Sequence, residues 1–164
     1  MISNRQKYFE LIKLNNKFLP KNVIYYLLIR VNNFCDVNEL ILKFDESLKN
    51  EEILNNYIRD IISGMPYQYV IHESMFCDLT LYVDNSVLIP RQETEELAIL
   101  AKETILKIFQ GKNDIKIADV CTGSGCIGIA LYNFLKEVFN IEMYLSDISK
   151  DALNVAYKNV KKYD

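Results

Sequence analysis

The sequence is poor in four residue types: it has no tryptophan, one histidine, 3 prolines and 5 glycines among 164 residues. So few prolines and glycines exclude a collagen-like or low-complexity chain. No single charge sign dominates, because 19 basic residues stand against 22 acidic ones and the net charge is -3. This balance gives no sign of the basic surface that a phosphate backbone requires, so we expect no direct nucleic-acid binding.

The spacing of the cysteines and the length of the apolar runs argue against a metal-binding protein and a membrane-spanning protein. The four cysteines have no metal-like spacing, which predicts free thiols and no metal site at Cys35, Cys77, Cys121 and Cys126. Every apolar run is too short to span a bilayer, so we expect no membrane contact. The first residues, MISNRQKYFELIKLNN, lack the apolar core of a secretion signal. These features favour a cytoplasmic protein.

The N-terminal part of the chain has the hydrophobic period of helices. A first helix is predicted behind a Ser3 cap, with a face formed by Tyr8, Leu11, Ile12, Asn15, Phe18 and Leu19. The apolar run after Pro20 predicts a buried second helix. A short third helix is predicted behind Asp36, and a fourth begins at an Asn50 cap and ends at Gly64. The pattern therefore indicates a small helical bundle.

The hydrophobic period changes after Gly64. The segments MFCDLTLYV and VLIP are short and β-prone, and the turn signal Asp84-Asn85-Ser86 separates them. They predict a hairpin, or two short strands, that links two domains. A helix follows from about Gln92 to Phe109, with Leu97, Ala98, Ala101, Ile105 and Ile108 directed inward.

The last part of the chain has the order of a nucleotide-binding sheet. A strand, IKIADV, leads into a glycine-rich turn and a helix that begins near Cys126. The next strand, IEMYLSD, ends at Asp147 and precedes another helix. This order opens a doubly wound, Rossmann-like sheet. We therefore predict an α/β chain with a helical domain at 1–70, a β-hairpin linker at 71–90 and the start of a cofactor-binding domain at 91–164.

Three glycines, Gly123, Gly125 and Gly128, match the spacing of a cofactor-binding turn. Either a nicotinamide dinucleotide or S-adenosylmethionine suits such a turn. Asp119, just before the glycines, would repel a pyrophosphate and suits a ligand that carries an ammonium and a sulfonium. Asp147 would accept hydrogen bonds from ribose hydroxyls with either ligand. The two acids together favour the methyl donor.

Several segments resemble one enzyme family. VLIPRQETEEL, ADVCTGSGCIGIALYNFL and YLSDIS are similar to the protein-(glutamine-N5) methyltransferases of the HemK/PrmC type, which modify peptide chain release factors. The preceding GMPYQYVIHESMF resembles the linker of that family. The resemblance covers essentially the whole chain, as the N-terminal portion of such a protein. Its most specific part is the IPR-x-ETE stretch from Ile89 to Glu95.

The resemblance implies methyl transfer from S-adenosyl-L-methionine to the side-chain amide nitrogen of glutamine in a Gly-Gly-Gln loop. The product would be S-adenosyl-L-homocysteine, the partner a release factor, and the parent protein a monomer. Cofactor contacts carry over to Asp119, Cys121, Thr122, Gly123, Ser124, Gly125 and Asp147. By the same resemblance, we expect Arg91, Thr94 and Glu95 to order the site rather than to take part in the chemistry. Many methyltransferases have glycine in place of Cys121, so we expect β-like backbone angles there.

One part of the family pattern is absent. The family grips its target amide with an Asn-Pro-Pro-Tyr segment, and no such run occurs in this sequence. We therefore expect the catalytic residues beyond Asp164, no activity from this chain alone, and one unpaired edge on the strand Ile115–Val120. The alternatives are a nucleic-acid amino-group methyltransferase of the same fold, a nicotinamide-binding oxidoreductase, and an interaction module without enzyme activity.

Overall fold

The computed structural model describes residues 2–14 and 16–163, so Asn15 of the predicted first helix lies outside the described residues. The described residues combine helices with two small sheets, which confirms a mixed α/β chain. The chain divides into two compact units, Met1–Ile71 and His72–Asp164.

The first unit is helical and is built around its second helix. Its elements are α1 (Asn4–Lys13), α2 (Lys21–Asn32), α3 (Val37–Leu42), α4 (Glu51–Ile62) and α5 (Tyr67–Ile71). The α2 helix packs against each of the other four. Its residues Ile24, Leu27 and Leu28 are fully buried. The prediction that the run after Pro20 forms the buried helix of a bundle is confirmed, whereas α5 was not predicted.

The helix ends test the predicted caps. Ser3 caps α1, since its hydroxyl accepts from the amide of Gln6 at 3.2 Å and the Gln6 side chain accepts from the Ser3 amide. Asp36 caps α3 through the amide of Glu39 at 2.8 Å. Asn50 is the N-cap residue of α4, as predicted, but it has left-handed backbone angles and its side chain makes no capping hydrogen bond. Its side-chain amide group instead donates to the distant carbonyl of Val31 at 2.8 Å.

The first helix is also shorter than predicted. It ends at Lys13, and Leu19 lies beyond its end. The amide of Phe18 donates to the side chain of Asn16 at 2.9 Å. Such a local side-chain bond is typical of a turn rather than of a helix.

The second unit opens with a hairpin and continues with alternating helices and strands. Its elements are β1 (Glu73–Phe76), β2 (Leu79–Tyr82), α6 (Gln92–Ile108), β3 (Asp114–Val120), α7 (Cys126–Leu135), β4 (Asn140–Ser146) and α8 (Lys150–Tyr163). A hairpin forms, but not between the two predicted segments, because both of its strands lie before the predicted Asp84-Asn85-Ser86 turn. The chain reverses at Cys77 and Asp78, which have φ of 48° and 62°. Two left-handed residues in succession are what a tight turn with the twist of a hairpin requires.

The segment after the hairpin is not a strand. The amide of Ser86 donates to the Asp84 side chain at 2.9 Å, so the predicted turn signal does form a local turn. VLIP then runs without strand pairing to the start of α6. The predicted inward face of α6 is confirmed at Ala98, which is fully buried, but is wrong at Leu97 and Ile108, which are exposed.

The strands β3 and β4 pair in parallel, from Asp114 opposite Asn140 to Val120 opposite Ser146. One face of this sheet packs on helices through Ile115, whose cluster includes residues of α6 and α7. The other face is exposed at Lys116, Ala118, Val120, Glu142, Tyr144 and Ser146. Within residues 2–14 and 16–163, β3 pairs only with β4.

Buried asparagines tie the helical unit together. Asn32 is 1% exposed, and its amide group donates to Asn4 Oδ1 at 2.8 Å and to the Leu28 carbonyl at 2.7 Å. Its oxygen accepts from the amide of Lys49 at 3.0 Å. Asn4, itself fully buried, donates to the carbonyl of Lys43 at 3.1 Å. These bonds fasten the segment before α4 to α1 and α2.

Replacing Asn32 with alanine should destabilise the protein by about 2–4 kcal/mol, because three partners, two of them buried, lose their hydrogen bonds and a cavity remains. Urea unfolding followed by circular dichroism measures this difference. The matched control is Asn55→Ala on the exposed face of α4, which should change stability by less than about 0.5 kcal/mol. Equal effects of the two substitutions would contradict the role of the network.

Candidate functional site

The turn from β3 to α7 brings the predicted glycine motif to the end of the parallel sheet. The amide of Thr122 donates to the carbonyl of Ser146 at 2.9 Å, and the amide of Gly125 donates to the carbonyl of Thr122 at 2.9 Å. Gly125 precedes α7 with φ of 82°, a conformation that glycine adopts without strain. The turn is therefore closed by its own backbone and anchored to the end of β4.

The prediction of β-like angles at Cys121 is wrong. Its φ is 63°, in the left-handed region. The strand ends at Val120, and the amide of Thr122, two residues later, is bonded to Ser146 at the end of β4, so the chain turns at the single residue between them. A left-handed conformation costs a residue with a Cβ roughly 1–2 kcal/mol. The hydrogen bond of Thr122 and the packing behind it outweigh that cost.

Asp119 holds the turn from the inside. Its Oδ2 accepts from the Thr122 hydroxyl at 2.7 Å and from the Gly128 amide at 3.0 Å. Gly128 is the third residue of α7, so its amide is one of those left without a partner at a helix N-terminus. The carboxylate thus satisfies the positive end of α7 in the manner of an N-cap, although it comes from the preceding strand.

Gly128 is the point of closest approach between α7 and the sheet. A Cβ at this position would overlap Leu145 Cδ2 and would lie 3.1 Å from Asp119 Oδ2. The absence of a side chain therefore lets the amide reach the carboxylate. The third glycine of the motif therefore serves the packing of the helix on the sheet.

Asp147 follows β4 and lies on the other side of the turn. Its Oδ2 accepts from the amide of Gly123 at 2.9 Å, and its Oδ1 accepts from the amide of Ser149 at 2.9 Å. These hydrogen bonds, from Ser149 first and then Gly123, hold the pKa of the Asp147 carboxyl below its usual value. The structure thus brings Asp119, the glycine turn and Asp147 together.

The other predicted site residues differ in their surroundings. Within the turn, Cys121 is exposed, whereas Thr122 and Ser124 are buried at 5% and 2% exposure. Arg91 immediately precedes α6, and Thr94 and Glu95 lie in its first turn. In the part of the chain that the structure describes, no hydrogen bond or ion pair joins these three residues to the glycine turn.

One residue of the turn's surroundings was not predicted. Asn159 of α8 is fully buried, and its side-chain amide donates to the carbonyl of Ser124 at 2.9 Å. Its helical neighbours Val155, Ala156 and Val160 are apolar or small. A polar amide on the apolar face of an amphipathic helix is the sequence signal that could have found it, since buried amides require partners.

The structure also bears on the membrane and metal predictions. No helix in the described ranges is long and apolar enough to cross a membrane. Among the same residues, no group of three or more histidine, cysteine or acidic side chains could hold a metal ion. All four cysteines are free thiols, as predicted.

Replacing Gly128 with alanine should destabilise the protein by about 1–3 kcal/mol, because the new methyl group must displace Leu145 or Asp119. Making room by Leu145→Ala should lower the cost of the Gly128 change, so the double variant should be more stable than the sum of the two single effects. Urea unfolding of all four proteins measures this coupling. Strict additivity would show that the close contact does not matter.

The lowered pKa of Asp147 predicts a pH dependence. A carboxylate whose folded pKa lies below its unfolded value of 3.8 stabilises the fold above that value and loses this contribution as pH falls through the folded pKa. The stability difference between the wild type and Asp147→Asn should therefore be constant above about pH 5 and shrink as pH falls further. Urea unfolding at several pH values tests it. A difference that stays constant down to acid would refute the hydrogen-bonding role.

Sequence comparisons give the motif resemblance a wider basis. No family model matches the chain. The chain is 34% identical over 157 residues to the release factor glutamine methyltransferase of Mycoplasma mycoides, an alignment that covers 93% of this chain and 52% of that protein. The protein of the same name from Bacillus cereus is 31% identical over 163 residues, with 93% of this chain and 55% of the relative covered.

A shorter alignment has higher identity. The release factor glutamine methyltransferase of Dictyoglomus turgidum is 45% identical over 100 residues, which cover 61% of this chain and 33% of that protein. The chain spans about half the length of the Mycoplasma and Bacillus relatives. The motif resemblance is thereby confirmed, and the chain belongs to the family of the release factor glutamine methyltransferases.

Proposed function

We propose that this chain binds S-adenosylmethionine and forms part of an enzyme that methylates a glutamine side-chain amide of a release factor. The names of the relatives support the reaction class and the release factor as substrate. The proposal extends to the Gly-Gly-Gln loop as the target and to a Rossmann-like, cytoplasmic, monomeric parent protein. It assigns substrate docking to the helical residues 1–70, and the linker and cofactor-binding parts to 71–90 and 91–164.

The hydrogen bond between Asp119 and the N-terminus of α7 is the observation that favours one cofactor over the other. In dinucleotide-binding proteins, the pyrophosphate lies at the N-terminus of this helix. Here the amide of Gly128 already donates to Asp119 Oδ2 at 3.0 Å, so a carboxylate occupies the positive end of the helix dipole. A pyrophosphate would compete with that charge. A cationic methyl donor gains from it, which favours S-adenosylmethionine over a nicotinamide cofactor.

The surroundings of Gly123 fit the same ligand. A Cβ at Gly123 would meet nothing within 4 Å, so the space beside the turn is open. Each carboxylate oxygen of Asp147 accepts one backbone hydrogen bond. A carboxylate oxygen has two acceptor sites, so each keeps capacity for one ribose hydroxyl. We assign the ribose to Asp147 and the methionine part to the backbone of Cys121–Gly125, with Asp119 in support.

When bound, S-adenosylmethionine supplies a methyl group activated by a positively charged sulfur. In this proposal, the residues of the chain hold that group and do not react with it. Thr122 and Ser124 present mainly backbone, because both side chains are buried. Arg91, Thr94 and Glu95 are assigned to ordering the site. The Asn-Pro-Pro-Tyr run that grips the amide in the family is absent from the 164 residues, so recognition of the amide is assigned to residues outside them.

Replacing Asp147 with alanine should weaken S-adenosylhomocysteine binding by roughly tenfold to a few hundredfold, since charge-assisted hydrogen bonds to the ribose are worth ~1.5–3 kcal/mol each. Isothermal titration calorimetry measures the affinity. Asp151→Ala, an acid in the first turn of α8, is the control and should leave affinity unchanged within about twofold. Unaltered affinity in the Asp147 variant would remove the ribose assignment.

Two further measurements separate the proposal from its alternatives. Titration with NADH should give no binding, and binding of NADH in place of S-adenosylhomocysteine would favour the oxidoreductase. The full-length protein should transfer radiolabelled methyl groups to a release factor and not to a Gln→Ala variant of its Gly-Gly-Gln loop. Labelling of DNA or RNA instead would favour the nucleic-acid methyltransferase.

A further inference from the structure

The helix α8 takes the place of a third strand beside the hairpin. In an antiparallel pair closed by a two-residue turn, alternate residues direct their backbone groups away from the partner strand. In β2 these residues are Thr80 and Tyr82, opposite Met75 and Glu73. Their outward amides and carbonyls would be unpaired at the sheet edge, which is costly where the edge is covered.

Three side chains of α8 bind those groups, one of them Lys162, whose Nζ donates to the carbonyl of Thr80 at 2.6 Å. Asn159 accepts from the amide of Tyr82 at 2.6 Å and donates to its carbonyl at 2.9 Å. The Tyr163 hydroxyl accepts from the amide of Thr80 at 2.8 Å and donates to its carbonyl at 2.8 Å. Residues four apart on a helix are about 6 Å apart along the axis, and residues two apart on a strand about 6.6 Å. The spacings match, so one helix face pairs with one strand edge.

Asn159 makes one bond that Tyr163 does not. Its amide group has two hydrogens, and the second donates to the carbonyl of Ser124 in the glycine turn at 2.9 Å. The same peptide group contributes the Gly125 amide, which donates to the carbonyl of Thr122 at 2.9 Å. The Ser124–Gly125 peptide is thus held from both sides. Rotation of this peptide would leave the fully buried Asn159 without an acceptor, which is costly.

We propose that Asn159 is a positioning residue for the cofactor turn, which couples the β1–β2 hairpin to the Ser124–Gly125 peptide. The inference deepens the proposed function, on which it rests for the identity of the ligand. Asn159 touches no ligand in this proposal. It keeps the backbone of the turn in the conformation that the ligand meets, so its loss weakens binding through Ser124 and Gly125.

The chain offers a matched pair of variants. Asn159→Ala removes all three hydrogen bonds, including the one to Ser124, whereas Tyr163→Phe removes the equivalent bonds to β2 and leaves the turn untouched. S-adenosylhomocysteine affinity should fall about tenfold or more in Asn159→Ala and stay within about twofold in Tyr163→Phe. Equal affinities in the two variants would overturn the proposal. An isosteric Asn159→Asp variant, which keeps only the acceptor toward Tyr82, should resemble Asn159→Ala.

Amide hydrogen exchange without ligand distinguishes a local effect on the turn from a general loss of stability. In Asn159→Ala, exchange at Gly125 should rise about tenfold or more relative to amides in the middle of α7, whereas Tyr163→Phe should raise exchange at Thr80 alone. A uniform rise across the second unit would show that Asn159 is merely structural. If neither Asn159 variant folds, amide exchange in the wild-type protein tests the coupling. The amides of Tyr82 and Gly125 should then exchange through one shared opening of the structure. Exchange of the two amides through separate openings would overturn the proposal.

The two proposals fail in distinguishable ways. Wild-type protein that does not bind S-adenosylhomocysteine would refute the proposed function, while the exchange measurement would still report on the coupling. Wild-type protein that binds it, with Asn159→Ala binding equally well, would refute the positioning role and leave the proposed function intact.

Discussion

The site depends on one carboxylate oxygen, Oδ2 of Asp119. It accepts from the Thr122 hydroxyl and from the Gly128 amide, so it joins the end of β3, the turn and the first turn of α7. This arrangement requires a short distance between helix and strand, which the missing side chain of Gly128 permits. It also uses the charge of the acid to stabilise the helix N-terminus. The path of the turn follows from these contacts, including the strained angle at Cys121.

The two acids at the ends of the strands have different surroundings because of the sheet. Parallel strands bring their carboxyl ends to the same edge, so the turn after Val120 and Asp147 after Ser146 become neighbours. Asp119 is the last inward residue of β3, and its bonds are made within the turn and helix. Asp147 lies outside the strand and binds the opposite side of the turn through Gly123. One acid therefore shapes the site, and the other remains available to a ligand.

Much of this arrangement could be predicted because its signals are local. The helical period, the Ser3 and Asp36 caps and the glycine spacing each depend on residues within one or two turns of chain. The errors have distant causes. Asn50 does occupy the N-cap position of α4, but its side chain donates to the distant Val31 carbonyl instead of capping the helix. Cys121 has no local reason for a left-handed angle, because the bond that forces it runs from Thr122 to Ser146. The Cys77–Asp78 turn lacks the glycine that usually marks such hairpins.

Asn159 shows why local signals are insufficient for the surroundings of a site. Its partners, Tyr82 and Ser124, are 77 and 35 residues away along the chain. An asparagine in a helix is unfavourable by propensity alone, so its presence at a buried position implies partners that the helix itself cannot supply. Here those partners are a strand edge and a turn, which otherwise share no hydrogen bond in the described residues. A buried amide with two donors and one acceptor can join them because each of its three groups finds a backbone partner, so the order of the turn depends on a strand far from it in sequence.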